Sequence, residues 1–214
     1  MTDFDVLYND LESYISSLEA KFISRFIKLD SAMGRFVASD PTMLTTEYVL
    51  EVRAYCVLSH AAFEEFFEEV SLKVMARSII EWQEVEDRRI NDALLTLASY
   101  SDYKFDNASG STSPFDYLKE VLGESKKRLL RNVSDNHGVS TRHLTKILLP
   151  VALQIKQDMN LQNSLSQLVK QRGDYAHRGS IKSILSPEDA KKYVADCLLL
   201  CEDIRDKANA KFLN

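Results

Sequence analysis

Residues that interrupt helices are rare in this chain. Only 6 glycines and 4 prolines occur among its 214 residues, and the segments between them are rich in Leu, Ala, Glu and Lys. These residue types favour helices over short strands joined by turns. The sequence therefore predicts an all-α fold, a helical bundle of six or seven helices, in a single domain over residues 1–214.

The first part of the chain has the period of an amphipathic helix. Apolar residues recur every three or four positions through residues 4–33. This pattern predicts one long N-terminal helix within residues 1–40, with Thr2 and Asp5 as its capping pair.

The same reasoning places the remaining elements. Residues 101–113 lose the helical period and are filled with Ser, Asp, Asn and Gly, which predicts a mobile surface loop. Pro150 is expected to kink or divide the helix that contains it. Further helices are predicted over residues 45–82, 90–100, 114–131, 140–155 and 161–177, and from Pro187 onward.

The cysteines indicate a reducing compartment. Cys56, Cys197 and Cys201 are odd in number and lack disulfide spacing, and no charged and apolar leader precedes Asp3, so we expect a cytoplasmic protein. Cys197 and Cys201 have the helical spacing of a zinc-binding pair, but no second Cys or His pair matches it, so we expect no metal and no cofactor. No apolar run reaches the ~18 residues that a membrane span requires.

Positive charge is concentrated in one part of the chain. The net charge is −5, yet residues 124–182 hold 11 Lys and Arg against 4 Asp and Glu, a net +7, which leaves −12 for the remainder. Such a block is either a set of solvated helix faces or a surface for a polyanion such as RNA. The candidate RNA-binding residues are Lys126, Lys127, Arg128, Arg131, Lys170 and Arg178.

Arg172 and His177 lie within this basic block, near its C-terminal end. An arginine keeps its charge at any physiological pH, and its guanidinium matches phosphate oxygens. Histidine titrates near neutrality and can move a proton. RNA supplies its own nucleophile in the 2′-hydroxyl group, so these two residues predict metal-free cleavage of RNA.

The spacing of the pair argues against a site built on one helix. Five helical positions separate Arg172 and His177 by about 140° around the axis and about 7.5 Å along it. The pair converges only if the helix ends inside the motif, or if a second copy of the motif faces the first. Symmetric pairing of two protomers supplies the second arrangement.

Two acidic residues are candidates for support of this pair. Asp174 either orients His177 or forms a surface ion pair with Arg178, four positions on. Glu64 and His60 are four positions apart on the central helix, and they either buttress the site or form a buried histidine–carboxylate pair in the core.

The turn at Asn136–Gly138 offers two further polar candidates. Asn136 and His137 lie beside the cleft if this turn folds back onto it. The alternative is an ordinary polar turn with no part in the chemistry.

The segment from Gln171 to His177 (QRGDYAH), at the end of a helix, resembles the HEPN (higher eukaryotes and prokaryotes nucleotide-binding) superfamily, whose signature is Arg, four to six residues, then His. The stretches at Asn136–Val139 and Ser59–Glu64 look like the RiboL-PSP-HEPN group. The resemblance covers about residues 45–205. It differs from the family pattern at Gly173, where active members often carry Asn, Asp or His.

The resemblance implies a metal-independent endoribonuclease that acts as a homodimer, with a composite cleft formed by the Arg172 and His177 motifs of both chains. It also implies a role in phage defence, toxin–antitoxin or stress systems, with an antitoxin or sensor protein as a further partner. The alternative is a catalytically silent helical module that binds RNA, a nucleotide or a protein. Motifs of other hydrolase classes, including Gly-rich phosphate loops, HExxH and GxSxG, do not occur in the sequence.

Overall fold

A computed structural model describes residues 1–84, 90–104, 113–178 and 185–212, with only the backbone described at residues 84 and 174–178. The chain is mostly helical, and its described residues contain seven α-helices and one β-hairpin. The prediction of six or seven helices is confirmed. The helices are α1 (Asp3–Phe22), α2 (Val49–Glu84), α3 (Asp92–Ser99), α4 (Pro114–Ser134), α5 (Thr141–Leu148), α6 (Met159–Arg178) and α7 (Pro187–Ala210).

Side-chain caps lie at the starts of α1, α4 and α7, and the first is the predicted pair of Thr2 and Asp5. The Thr2 hydroxyl accepts a hydrogen bond from the Asp5 amide at 3.1 Å, and the Asp5 carboxylate accepts one from the Thr2 amide at 2.8 Å. A cap of this kind stabilises a helix by about 1 kcal/mol. The equivalent pairs at α4 and α7 are Ser113 with Asp116 and Ser186 with Asp189.

The long helix predicted over residues 4–33 is wrong in its second half. Helix α1 ends at Phe22, and an antiparallel hairpin follows, made of β1 (Ile27–Asp30) and β2 (Arg35–Ala38). Gly34 has φ +61° in the turn between the strands, a conformation that glycine adopts without strain. Phe26 and Leu29 fit the helical period, and Ile27 and Leu29 fit the two-residue period of a strand, so the pattern alone did not separate the two.

The chain forms two compact units. Unit 1 comprises residues Met1–Phe66, Gly138–Ser140 and Lys156–Asp203, and unit 2 comprises Phe67–His137, Thr141–Ile155 and Ile204–Asn214. The assignment of the whole chain to a single domain stays a prediction.

Side-chain contacts in unit 1 connect four helices in a closed cycle. Each consecutive pair of helices is joined by at least one ring contact, ion pair or hydrogen bond between side chains. Buried apolar residues from all four helices fill the space within unit 1. The contacts are Tyr8 with Phe66 (α1 to α2), Glu64 with Arg172 (α2 to α6), Ser164 with Asp196 (α6 to α7) and Lys191 with Glu19 (α7 to α1).

In unit 2, α3, α4 and α5 pack together with a 3-10 turn over Leu149–Val151. The helix predicted over 140–155 is wrong beyond Leu148, where α5 ends, and residues 153–158 are not helical. Pro150 therefore lies past the end of α5 and neither kinks nor divides it, because its ring cannot continue the helical hydrogen-bond ladder. Residues 101–104 lie outside any helix, and the rest of the predicted loop, residues 105–112, lies outside the described residues. No helix in the described ranges has both the length and the apolar composition that crossing a bilayer requires.

Candidate functional site

Arg172 faces a carboxylate in unit 1. Its guanidinium Nη2 lies 3.8 Å from Oε2 of Glu64 on α2. This separation is longer than a hydrogen bond, so the contact is an attraction between charges. The Glu64 side chain is 15% exposed and that of Arg172 is 37% exposed. A largely buried carboxylate therefore lies beside a guanidinium that is still partly exposed to solvent. Because water is partly excluded there, the attraction between the two charges is stronger than at an open surface.

His60 lies behind Glu64 in the same unit. Its Nδ1 is 3.8 Å from the same Oε2 atom, and the imidazole is almost completely buried. A side chain that is this deeply buried does not touch a substrate. The contact that connects His60 to Arg172 is therefore the one with Glu64.

The rest of the motif extends along the same helix. The backbone of α6 is helical through Arg178, so the helix does not end between Arg172 and His177. The two residues therefore diverge by about 140° within one chain. The side chains of Asp174, His177 and Arg178 lie outside the described part of the structure.

Gly173 follows Arg172 in the interior of α6. A methyl group built at its α-carbon meets no described atom within 4 Å. Within the described chain, nothing therefore approaches this glycine closely enough to require it.

We expect the change Gly173→Ala to raise the free energy of unfolding by about 0.5–1 kcal/mol, because alanine loses less backbone entropy in a helix. Gly123 in α4 has the same open surroundings and is the matched control. Urea titrations of both variants measure the effect. A loss of stability in Gly173→Ala together with a gain in Gly123→Ala would contradict the open surroundings of Gly173.

The turn candidates lie in unit 2. Asn136 donates a hydrogen bond from Nδ2 to Oε1 of Glu68 at 2.7 Å, and His137 is exposed. Glu68 was not predicted as a partner. Its only signal in the sequence is its position four residues after Glu64, in a group of acids at residues 64, 65, 68 and 69.

The basic residues of α4 differ in their solvent exposure and in their side-chain contacts. Lys126, Lys127 and Arg131 are exposed, as is Lys170 on α6. Arg128 instead lies with its guanidinium 4.3 Å from the centre of the Tyr100 ring, donates to the Tyr100 carbonyl at 3.0 Å, and pairs with Asp102 at 3.0 Å. These contacts within unit 2 explain the position of the Arg128 side chain without a role in RNA binding.

The cysteines are buried. Loss of hydration raises the pKa of Cys56 to about 12, and burial also raises the pKa values of Cys197 and Cys201. Zinc binds the deprotonated thiolate, so burial works against the zinc pair that the spacing offered. The described residues contain no group of three or more His, Cys, Asp or Glu side chains that could hold a metal ion.

Comparison with known proteins places the chain in a family. The family model of RiboL-PSP-HEPN matches residues 38–210, which include α2 to α7 and the whole of the Arg172–His177 motif. Helix α1 and most of the hairpin precede the matched region. No curated protein and no solved structure matches the chain. Because the match covers most of the chain, this protein belongs to the RiboL-PSP-HEPN family of the HEPN superfamily.

Proposed function

We propose that this protein is a metal-independent endoribonuclease. The observation that carries the proposal is the placement of Arg172 against Glu64 in a chain of the HEPN superfamily, with His177 five positions further along the same helix. The setting that we propose is phage defence, a toxin–antitoxin pair or a stress response, in which an antitoxin or sensor protein is a partner.

The proposed chemistry uses the 2′-hydroxyl group of RNA as the nucleophile. His177 removes the proton from this hydroxyl as its oxygen attacks the neighbouring phosphorus. Arg172 donates to the phosphate oxygens, where negative charge builds up in the transition state. The 5′-oxygen leaves and takes up a proton, so the products are a 2′,3′-cyclic phosphate and a 5′-hydroxyl end.

The proposed active form is a homodimer. Arg172 and His177 diverge on one continuous helix, so a single chain presents them in different directions. A two-fold axis beside α6 would bring the Arg172 of one protomer towards the His177 of its partner. The proposed cleft is therefore composite, formed by the motifs of both protomers.

Incubation of the purified chain with single-stranded RNA in EDTA tests this function. We expect fragments with cyclic phosphate and 5′-hydroxyl ends, and sedimentation as a dimer at the concentrations where cleavage occurs. Intact RNA across a panel of sequences, or full activity from a monomer, would contradict the proposal.

Glu64 is proposed as a positioning residue for Arg172. We expect Glu64→Gln to lower the single-turnover cleavage rate about tenfold, since the amide is uncharged and no longer attracts the guanidinium. Glu65→Gln is the matched control, because Glu65 is the next residue on α2 and is exposed.

A double-mutant cycle separates this role from a general loss of stability. If Glu64 acts through Arg172, Glu64→Gln should have no further effect in an Arg172→Ala background. An equal tenfold loss in both backgrounds would contradict the positioning role. Thermal unfolding of each variant checks that the fold is retained.

The second candidate is a catalytically silent module that binds RNA, a nucleotide or a protein. Gly173 favours it, because active members of the superfamily often carry a polar residue at this position. If the protein is such a silent module, the wild type should bind RNA without cleaving it, and Arg172→Ala should change only the affinity for RNA.

A further inference from the structure

A cavity of about 320 Å³ lies in unit 2, at the C-terminal end of α3 and beside α5. Its volume falls at the lower end of the range for pockets that bind small ligands. The residues that the following argument uses are Thr96, Ser99, Tyr100, Thr145, Lys146 and Leu149.

Tyr100 gives the cavity a fixed aromatic wall. Asn132 donates from Nδ2 to the Tyr100 hydroxyl at 2.5 Å, and the Arg128 guanidinium lies against the ring. Contacts from two α4 side chains therefore fix the orientation of the ring. A rigid aromatic ring is a favourable surface for stacking a nucleobase.

The hydroxyl groups in the wall already donate their protons. Thr96 donates to the Asp92 carbonyl at 2.8 Å, Ser99 to the Thr96 carbonyl at 2.7 Å, and Thr145 to the Thr141 carbonyl at 2.8 Å. Each oxygen therefore offers lone pairs to a ligand but no proton. A matching ligand carries an amino group, with its two N–H donors, at the edge of a flat ring, as adenine, cytosine and guanine do; uracil has one imino N–H and no amino group.

Positive charge lies on α5 beside the cavity. Arg142 and Lys146 are exposed and one turn apart on α5, which contains no acidic residue. The neighbouring carboxylates are already paired within unit 2, Asp92 with Lys211 and Asp102 with Arg128. This distribution suits a phosphodiester backbone.

We propose that this cavity binds one unstacked base of single-stranded RNA, and that Lys146 and Arg142 contact the adjoining phosphates. The identification of the ligand as RNA rests on the proposed function. The inference extends that function by naming the form of the substrate, because a base held in a duplex cannot enter a cavity without leaving its stack.

The test measures binding of a labelled 2′-O-methyl oligonucleotide to the full chain in EDTA, by fluorescence anisotropy. Methylation removes the 2′ nucleophile, so binding is measured without cleavage. Ser99→Trp fills the cavity, and we expect it to weaken binding about tenfold, the scale of one lost base stack.

Ser17→Trp is the matched control, because Ser17 is also exposed on a helix and donates to the carbonyl three residues before it. Its affinity should equal that of the wild type. Lys146→Ala should weaken binding about threefold to tenfold and reduce the slope of log affinity against log salt by about 0.7. Lys119→Ala, an exposed lysine on α4 outside the cavity lining, is the control for the loss of charge.

Equal affinities for Ser99→Trp and Ser17→Trp would overturn the proposal, as would equal binding of an abasic oligonucleotide or of duplex RNA. An absence of RNA affinity would also overturn it. Weaker binding of uridine tracts than of adenine or cytosine tracts would support it. Cleavage of RNA is measured separately. If the protein cleaves RNA but Ser99→Trp does not change its affinity, the nuclease proposal is supported and the base-binding cavity is contradicted. If the affinities change as expected but no RNA is cleaved, the cavity is supported and the nuclease proposal is contradicted.

Discussion

Replacement of His177 with alanine is expected to lower the rate of RNA cleavage by a factor of about 10²–10⁴, the contribution of a positioned acid or base. The proposed mechanism assigns to this imidazole the removal of the proton from the 2′-hydroxyl, and alanine has no group that accepts it. Alanine is also a strong helix former, so the backbone of α6 should be retained. The measurement is single-turnover cleavage in EDTA, with circular dichroism to check the fold.

The specificity of this effect can be checked with a second histidine. His143 on α5 is half-buried and has no assigned role in the chemistry, so His143→Ala should retain activity. Cleavage by His177→Ala at the wild-type rate would contradict the proposed nuclease mechanism. An equal loss in both variants would indicate a general effect of the substitution.

Replacement of Arg172 with alanine is expected to lower the cleavage rate by a factor of about 10²–10³, the cost of removing one donor that stabilises transition-state charge. Arg172→Lys should fall between this variant and the wild type, because lysine keeps the charge but lacks the paired donors of guanidinium. Arg35→Ala in the hairpin is the control, since Arg35 lies outside the region that matches the family. An unchanged rate for Arg172→Ala would contradict the assigned role.

Mixing Arg172→Ala chains with His177→Ala chains tests how the two protomers share a site. If each cleft takes one arginine and one histidine from different protomers, mixed dimers contain one intact cleft, and activity should recover to about a quarter of wild type. If each cleft needs both pairs, the mixture should remain inactive. Sedimentation of the mixture checks that mixed dimers form, and a fully active monomer would contradict both arrangements.

The elements that could be predicted from the sequence are those with local causes. The side chains of Thr2 and Ser113 accept hydrogen bonds from backbone amides three positions away, and the apolar period of α6 can be recognised from the order of its residues alone. The hairpin was not predicted because the apolar residues around it fit both the helical period and the two-residue period of a strand. Its formation depends on the pairing of Leu29 with Phe36 across a turn, which the periods do not specify.

The sequence by itself determined the helical class of the fold and the family, because periodicity, caps and a short motif depend on neighbouring residues. The same motif made Arg172 and His177 the candidate pair. Tertiary structure decided which of the charged residues have partners. It placed Glu64 beside Arg172, and it placed Arg128 against Tyr100 and Asp102. These contacts join residues that are far apart in the chain, and such contacts depend on how the helices pack, which no local pattern encodes.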